Sequence, residues 1–224
     1  MRLILECDGV VLDVQPAYWA AYSAVCREKG MPRLDPAAFW RGIRRRAPDG
    51  QLVPGARPAA LRAFRGQFDE RLESDEMLGR LAPLAEVKPA LARLAESGEC
   101  FLVSTGPNRA ARQQAMDRHD LSIHFMRMKA LSDNRGYRVD QLRVLAENDP
   151  RTVVAAAGDG LILTAEEAGL FAVGVASGPC TAARLTRAGA RCTFASLSEL
   201  ADSIAAGGDE LVAAGWTPAD RPRW

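Results

Sequence analysis

Two carboxylates one residue apart, Glu6 and Asp8, stand where a short apolar run, LIL, gives way to an Asp-Gly turn. A carboxylate can act as a nucleophile, a proton carrier or a cation ligand. The plain alternative is a strand end followed by a turn with no chemistry in it. Two further apolar runs end in residues of similar promise: FLVS leads into Ser104-Thr105-Gly106, and TVVAAA leads into Gly158-Asp159. A loop around Asn134-Arg135 adds a cation. Taken singly, a hydroxyl or an acid at such a place serves as readily to cap a helix or close a turn. Their significance depends on whether the fold gathers them.

The elements between these stretches predict that it does. RLILE reads as a buried strand. From Pro16 the pattern turns helical: PAYWAAYSAVCREKG sets Tyr18, Trp19, Tyr22, Val25 and Cys26 at helical spacing between an N-terminal Pro and Gly30. DPAAFWRGIRRR gives a second helix with Asp35 as its cap and Phe39, Trp40 and Ile43 inward. RAPDGQLVPGARP reads as turns, and two more helical patterns run from Ala59 to Leu72 and from Asp75 to Leu81. The aromatic residues of this stretch are expected to form its own core. From Lys88 helices and strands alternate, with ECFLVS, SIHFMRM, RTVVAAA, LFAVGVA and RCTFA as strands. AEEAG, among others, supplies a helix between two of them. Buried strands alternating with helices argue for a parallel sheet covered on both faces. The expected architecture is a doubly wound α/β core (1–13 and 85–210), an inserted helical module (14–84) and a loosely held C-terminal tail (211–224). In such sheets ligands lie beyond the carboxyl ends of the strands, at the switch point, which is where all four stretches fall.

Composition narrows the function classes. A chain of 224 residues with 48% hydrophobic and 25% charged residues can bury a core without staples. Its net charge of +1 offers no electrostatic reason to expect nucleic acid or a membrane surface as partner. The five cysteines show no CxxC spacing and read as reduced thiols. Glu6 and Asp8 interrupt the N-terminal apolar run, so no signal peptide is expected, and no stretch is long enough to span a bilayer. A cytoplasmic protein is the expectation. Only three of the 29 basic residues are lysines, Lys29, Lys88 and Lys129. Any single Arg therefore carries little information, while a missing Lys is easy to see. His119 and His124 have no partner at ligand spacing and read as structural. GDGLIL lacks the third glycine of a dinucleotide-binding loop, and no Gly run precedes a Lys as a P-loop requires.

LILECDGVVLD resembles the first motif of the haloacid dehalogenase (HAD) superfamily, an apolar run followed by Asp-x-Asp-Gly. FLVSTGPN resembles the second motif, and TVVAAAGDG the fourth. Their order, with a helical cap between the first and second, is similar to phosphatases of the phosphoglycolate phosphatase type. The resemblance spans nearly the whole chain. It implies a catalytic set of Glu6, Asp8, Ser104 and Arg135, with Gly9, Thr105, Gly106 and Lys129 beside the substrate. In such phosphatases the first Asp attacks phosphorus and the second carries the proton. Mg²⁺ would be held at Glu6, Asp8 and Asp159, and the substrate would be a phosphorylated small molecule. Dehalogenation is less expected, because Asp8 belongs to the phosphatase pattern.

Three departures stand against normal turnover. Glu6 replaces the nucleophilic Asp and is longer by one bond, roughly 1.5 Å; misplacement of about 1 Å can cost ~10²-fold in rate. The Lys of the third motif is absent, with Arg135 at its place and Lys129 the second choice. The segment after Asp159 is short and lacks a second acid, so weakened Mg²⁺ binding is expected. Two readings stay open. One is an impaired phosphatase-like protein retaining cation or phosphate binding, with a protein partner if it is non-catalytic. The other is an active Mg²⁺-dependent phosphomonoesterase. The departures favour the first.

Overall fold

The computed structural model describes residues 1–149 and 151–217. The chain starts with β1 (Arg2–Glu6) and the two-residue β2 (Leu12–Asp13). Five helices follow: α1 (Gln15–Glu28), α2 (Pro36–Arg45), α3 (Asp49–Leu52), α4 (Pro58–Leu72) and α5 (Asp75–Leu78). Then come β3 (Ala82–Pro83), α6 (Val87–Ser97), β4 (Glu99–Ser104), α7 (Arg109–Arg118), β5 (Arg127–Ala130) and α8 (Arg135–Leu145). The chain continues through β6 (Val153–Ala156), α9 (Asp159–Glu167), β7 (Phe171–Val175), α10 (Ala182–Arg187), β8 (Cys192–Phe194), α11 (Leu197–Ala205) and α12 (Asp209–Ala213).

Six strands form one parallel sheet in the order β5-β4-β1-β6-β7-β8. β1 lies in the middle, with β4 on one side and β6 on the other, so the switch point of the strand order falls at its carboxyl end. The pleat sends Leu3 and Leu5 to one face and Ile4 to the other, and all three are fully buried. Apolar residues of α6, α7 and α11 pack on the first face, and those of α8, α9 and α10 on the second. The expected doubly wound α/β core is what the chain forms.

The helices α1 to α5 lie between β2 and β3, which pair antiparallel and bring the chain back to where it left. Asp35 caps α2 by accepting a hydrogen bond from the Ala38 amide at 2.8 Å. Aromatic rings fill the space between these helices. Tyr22 stacks on Phe39 at 4.1 Å, Phe64 stacks on Phe68, and Tyr18 meets both Trp40 and Phe68 edge-on. The Tyr22 hydroxyl donates to the Leu52 carbonyl at 2.7 Å and accepts from the Leu34 amide at 2.8 Å, tying the end of α3 and the loop before α2 to α1.

Local corrections follow from competing signals. SIHFMRM is not one strand: Ser122–His124 form a 3-10 turn and only Arg127–Ala130 pair with β4. The helix expected at AEEAG begins earlier, at Asp159, because Leu161, Ile162 and Ala165 recur at helical spacing and bury against the sheet. The turn-rich stretch after α2 includes the single helical turn α3. α12 runs across residue 211 with Leu211 buried, and the Trp216 indole donates to the Arg151 carbonyl at 2.9 Å. Residues 218–224 of the expected tail lie outside the described residues. No helix among the described residues is long and apolar enough to cross a membrane.

Tyr22→Phe should lower stability by about 1–3 kcal/mol, because it leaves the Leu34 amide and the Leu52 carbonyl short of a partner. Urea unfolding should show the loss as a lower midpoint at unchanged slope.

Candidate active site

Glu6 ends β1, Ser104 ends β4, and Gly158 links β6 to α9, so neighbouring parallel strands deliver these residues side by side. The Cys7 amide extends the pairing by donating to Val103 at 2.8 Å, and the chain then turns back so that the Leu12 amide reaches the Cys7 carbonyl. Gly9 makes this turn at φ +81°, and a Cβ there would come within 2.7 Å of the Gly178 Cα. Both the conformation and the space demand glycine.

Glu6 is only 4% exposed. Its Oε2 accepts the amides of Ala157 at 2.9 Å and Gly158 at 2.8 Å, and its Oε1 accepts the Thr105 hydroxyl at 3.2 Å. Burial pushes the carboxyl up and the charge of Asp8 adds to it. The Gly158, Ala157 and Thr105 donors oppose the rise, and the result is about 7.

Asp8 is held by Arg112. The Arg112 Nε lies 3.0 and 2.8 Å from the two Asp8 oxygens and Nη2 lies 2.7 Å from Oδ2. The same guanidinium donates to both oxygens of Glu73, at 2.8 and 2.9 Å, and to the Asn108 carbonyl. Burial works against the Arg112 charge, but the Glu73 bonds and the Asp8 charge more than offset it and hold the group above its ordinary range. Gly106 lies flat against this guanidinium, where a Cβ would sit 2.3 Å from Nη2. Asp159 is held in turn by Arg184, at 2.5 Å, and Arg46 stands 3.8 Å away. Arg184 also donates to the carbonyls of Ile43, Arg44 and Pro179, and Arg44 donates to Ala176 at 2.7 Å.

These groups surround a cavity of about 460 Å³ between the strand ends and helices α1 to α5. The structure brings Glu6, Asp8, Thr105, Gly106 and Asp159 to it. Ser104 is buried beside it with its hydroxyl near the Gly106 carbonyl, and Gly9 lies behind in the turn. Lys129 and Arg135 are not brought in. Lys129 sits in β5 opposite Val103, and Arg135 is paired with Glu167 at the surface. Asn134 caps α8 instead, accepting from the Tyr137 amide. Arg138, one turn along α8 from Arg135, lines the cavity; its Nε donates to the Ser132 carbonyl, and among the described residues it has no ion pair. A larger hollow of about 1030 Å³ opens at the amino ends of the strands, away from all of these acids.

Sequence reasoning missed Arg112, Glu73, Arg184 and Arg138. One signal was present: Arg112 shares a helix stripe with Ala111, Ala115 and Met116, all buried. A charge on an otherwise apolar stripe needs a buried partner. The Arg-rich composition concealed the rest.

Mg²⁺ demands oxygen ligands with lone pairs free to face it in near-octahedral array. Here both oxygens of Glu6 and both of Asp8 already accept hydrogen bonds, and Asp159 is paired with Arg184. Among the described residues no group of three His, Cys, Asp or Glu side chains is placed to hold a metal ion. As arranged, these carboxylates do not fit Mg²⁺.

Two outcomes are expected. Because the folded Glu6 carboxyl titrates about 7 rather than near its ordinary 4.5, its ionisation removes stability as pH rises through that window. Glu6→Gln should escape this loss, gaining on wild type by roughly 3 kcal/mol between pH 4.5 and 7; parallel pH profiles in urea unfolding would contradict it. Arg112→Ala leaves two partly buried acids, Asp8 and Glu73, without their shared partner and should cost about 1.5–3 kcal/mol in the same assay at pH 8.

No protein-family model matches the sequence, and no curated protein matches it. Solved structures do. A haloacid dehalogenase-like family hydrolase from Streptococcus pneumoniae superposes with a TM-score of 0.71 at 14% identity, covering 91% of this chain and 97% of that one. A haloacid dehalogenase-like protein of unknown function from Agrobacterium tumefaciens gives 0.65 at 21% identity, over 92% and 98%. A predicted phosphoglycolate phosphatase from Haemophilus somnus gives 0.63 at 13%, over 91% and 97%. Identity this low speaks for architecture rather than activity, and the architecture is the haloacid dehalogenase-like hydrolase fold.

Proposed function

We propose that this protein is a phosphatase-like binder of a phosphorylated small molecule that has little or no turnover. Residues 14–84 act as a cap over the cavity, and the core comprises 1–13 and 85–210. The observation that carries this reading is the engagement of both acids. Glu6, at the position of the nucleophile, points both oxygens at amides and a hydroxyl, and Asp8, at the position of the proton carrier, lies in the fork of Arg112. An in-line attack would require Glu6 to leave three donors, and proton transfer would require Asp8 to leave Arg112. Binding asks for less. Arg138, which has no ion pair among the described residues, stands at the cavity to meet an anion, the largely exposed Arg46 lines it 3.8 Å from Asp159, and Tyr18 lines the same space. Arginine suits phosphate oxygens through its planar fork. The phosphatase named among the matching folds supports a phosphorylated ligand.

Hydrolysis of p-nitrophenyl phosphate, with and without Mg²⁺, tests the reading. Wild type should not exceed Glu6→Ala, and Glu6→Asp should recover activity partially at best. Metal-dependent turnover by wild type that vanishes in Glu6→Ala would establish the active phosphomonoesterase instead.

A further inference from the structure

We infer that Arg112 and Arg184 occupy the electrostatic role of a divalent cation, so that the acidic strand ends are neutralised from within and the site takes no metal. Two acids that follow the strands, Asp8 and Asp159, each have a guanidinium of their own. Arg112 meets Asp8 through three contacts of 2.7–3.0 Å, and Arg184 meets Asp159 at 2.5 Å. Neither arginine is a passing surface charge: their side chains are 3% and 14% exposed. Each is also fixed from the other side. Arg112 is anchored by Glu73 at the end of α4, and Arg184 by the carbonyls of Ile43 and Arg44 at the end of α2. Displacing either to admit a metal would strand those partners as well as the arginine itself.

Charge balance points the same way. Five carboxylates and five guanidiniums line the cavity, so no excess of negative charge is left for a divalent ion to screen. A metal entering here would meet fixed positive charge within hydrogen-bond distance of both Asp8 and Asp159, and the third acid, Glu6, is already engaged by two amides and a hydroxyl. The guanidiniums cannot lose their protons to make way. They do what the cation would do electrostatically, holding several carboxylates close together, but they offer no open coordination position and no polarised water.

Manganese is the probe, since its aqueous electron-paramagnetic-resonance signal falls on binding. Wild-type full-length protein should leave the Mn²⁺ signal unchanged to millimolar concentrations, and calorimetry with Mg²⁺ should show no saturable heat. Arg184→Ala should bind Mn²⁺ saturably at concentrations at least tenfold below the highest at which wild type shows no binding, and adding Asp159→Asn should abolish the gain. One equivalent bound by wild type and lost in Asp159→Asn overturns the inference. So does a folded Arg184→Ala, judged by circular dichroism, that binds no better than wild type. If Arg184→Ala fails to fold, the wild-type comparison with Asp159→Asn decides alone. Metal bound without phosphate hydrolysis would defeat this inference and leave the proposed function standing; metal-free turnover would do the reverse.

Discussion

A buried guanidinium, Arg112, is the constraint around which the rest of the site is arranged. Taking a full charge out of water costs several kcal/mol unless the group is paired and hydrogen-bonded. Arg112 meets that demand by collecting Asp8 from the turn after β1, Glu73 from the end of α4 and the Asn108 carbonyl from its own helix start. Three segments distant in sequence are thereby fixed in one place. The flat contact with Gly106 is a consequence, since no side chain fits beside the guanidinium. Asn108 reinforces the same junction, donating to the Glu73 carbonyl and to Asp75 at the start of α5. The helical segment is tied down again on the far side of the cavity, where the Arg184 side chain donates to the Ile43 and Arg44 carbonyls of α2 and the Arg44 side chain donates to the Ala176 carbonyl of the core.

Glu6 solves a different problem by different means. It has no cation of its own, and its charge is instead opposed to the amides of Ala157 and Gly158. Those donors exist because β6 ends there and its chain must turn into α9. Their number does not fully offset burial, so the carboxyl sits about 7 and is half ionised near neutral pH. The contrast among the three acids is informative. Each is turned to donors that the chain itself supplies: two amides and a hydroxyl for Glu6, Arg112 for Asp8 and Arg184 for Asp159.

The core was legible because its signals are local and redundant. RLILE, ECFLVS and LFAVGVA are apolar throughout, as strands covered on both faces must be, and the helices between them carry recognisable apolar stripes. Errors arose where two patterns competed. Leu161 and Ile162 precede the AEEAG stretch at which the helix is expected, yet their spacing to Ala165 is helical and they bury with it in α9. Arg135 was favoured as the cavity's cation by its place in the chain. Arg135, at the first position of α8, is paired with Glu167 at the surface, and it is Arg138, one turn further into the helix, that lines the cavity.

The sequence by itself determined the parallel α/β core, the helical interruption after the first strand, and the set of strand ends at which Glu6, Asp8, Thr105 and Asp159 would meet. It did so because backbone periodicity and strand order depend on neighbours in the chain. Only the tertiary structure decided what those residues face. Arg112 is 104 residues from Asp8 and 39 from its other partner Glu73, and Glu6 finds its amides 151 and 152 residues away. Among 26 arginines the apolar stripe around Arg112 marks one as buried, but nothing local names its partner or singles out Arg184, because charge pairing is set by distance in space and leaves no period in the sequence.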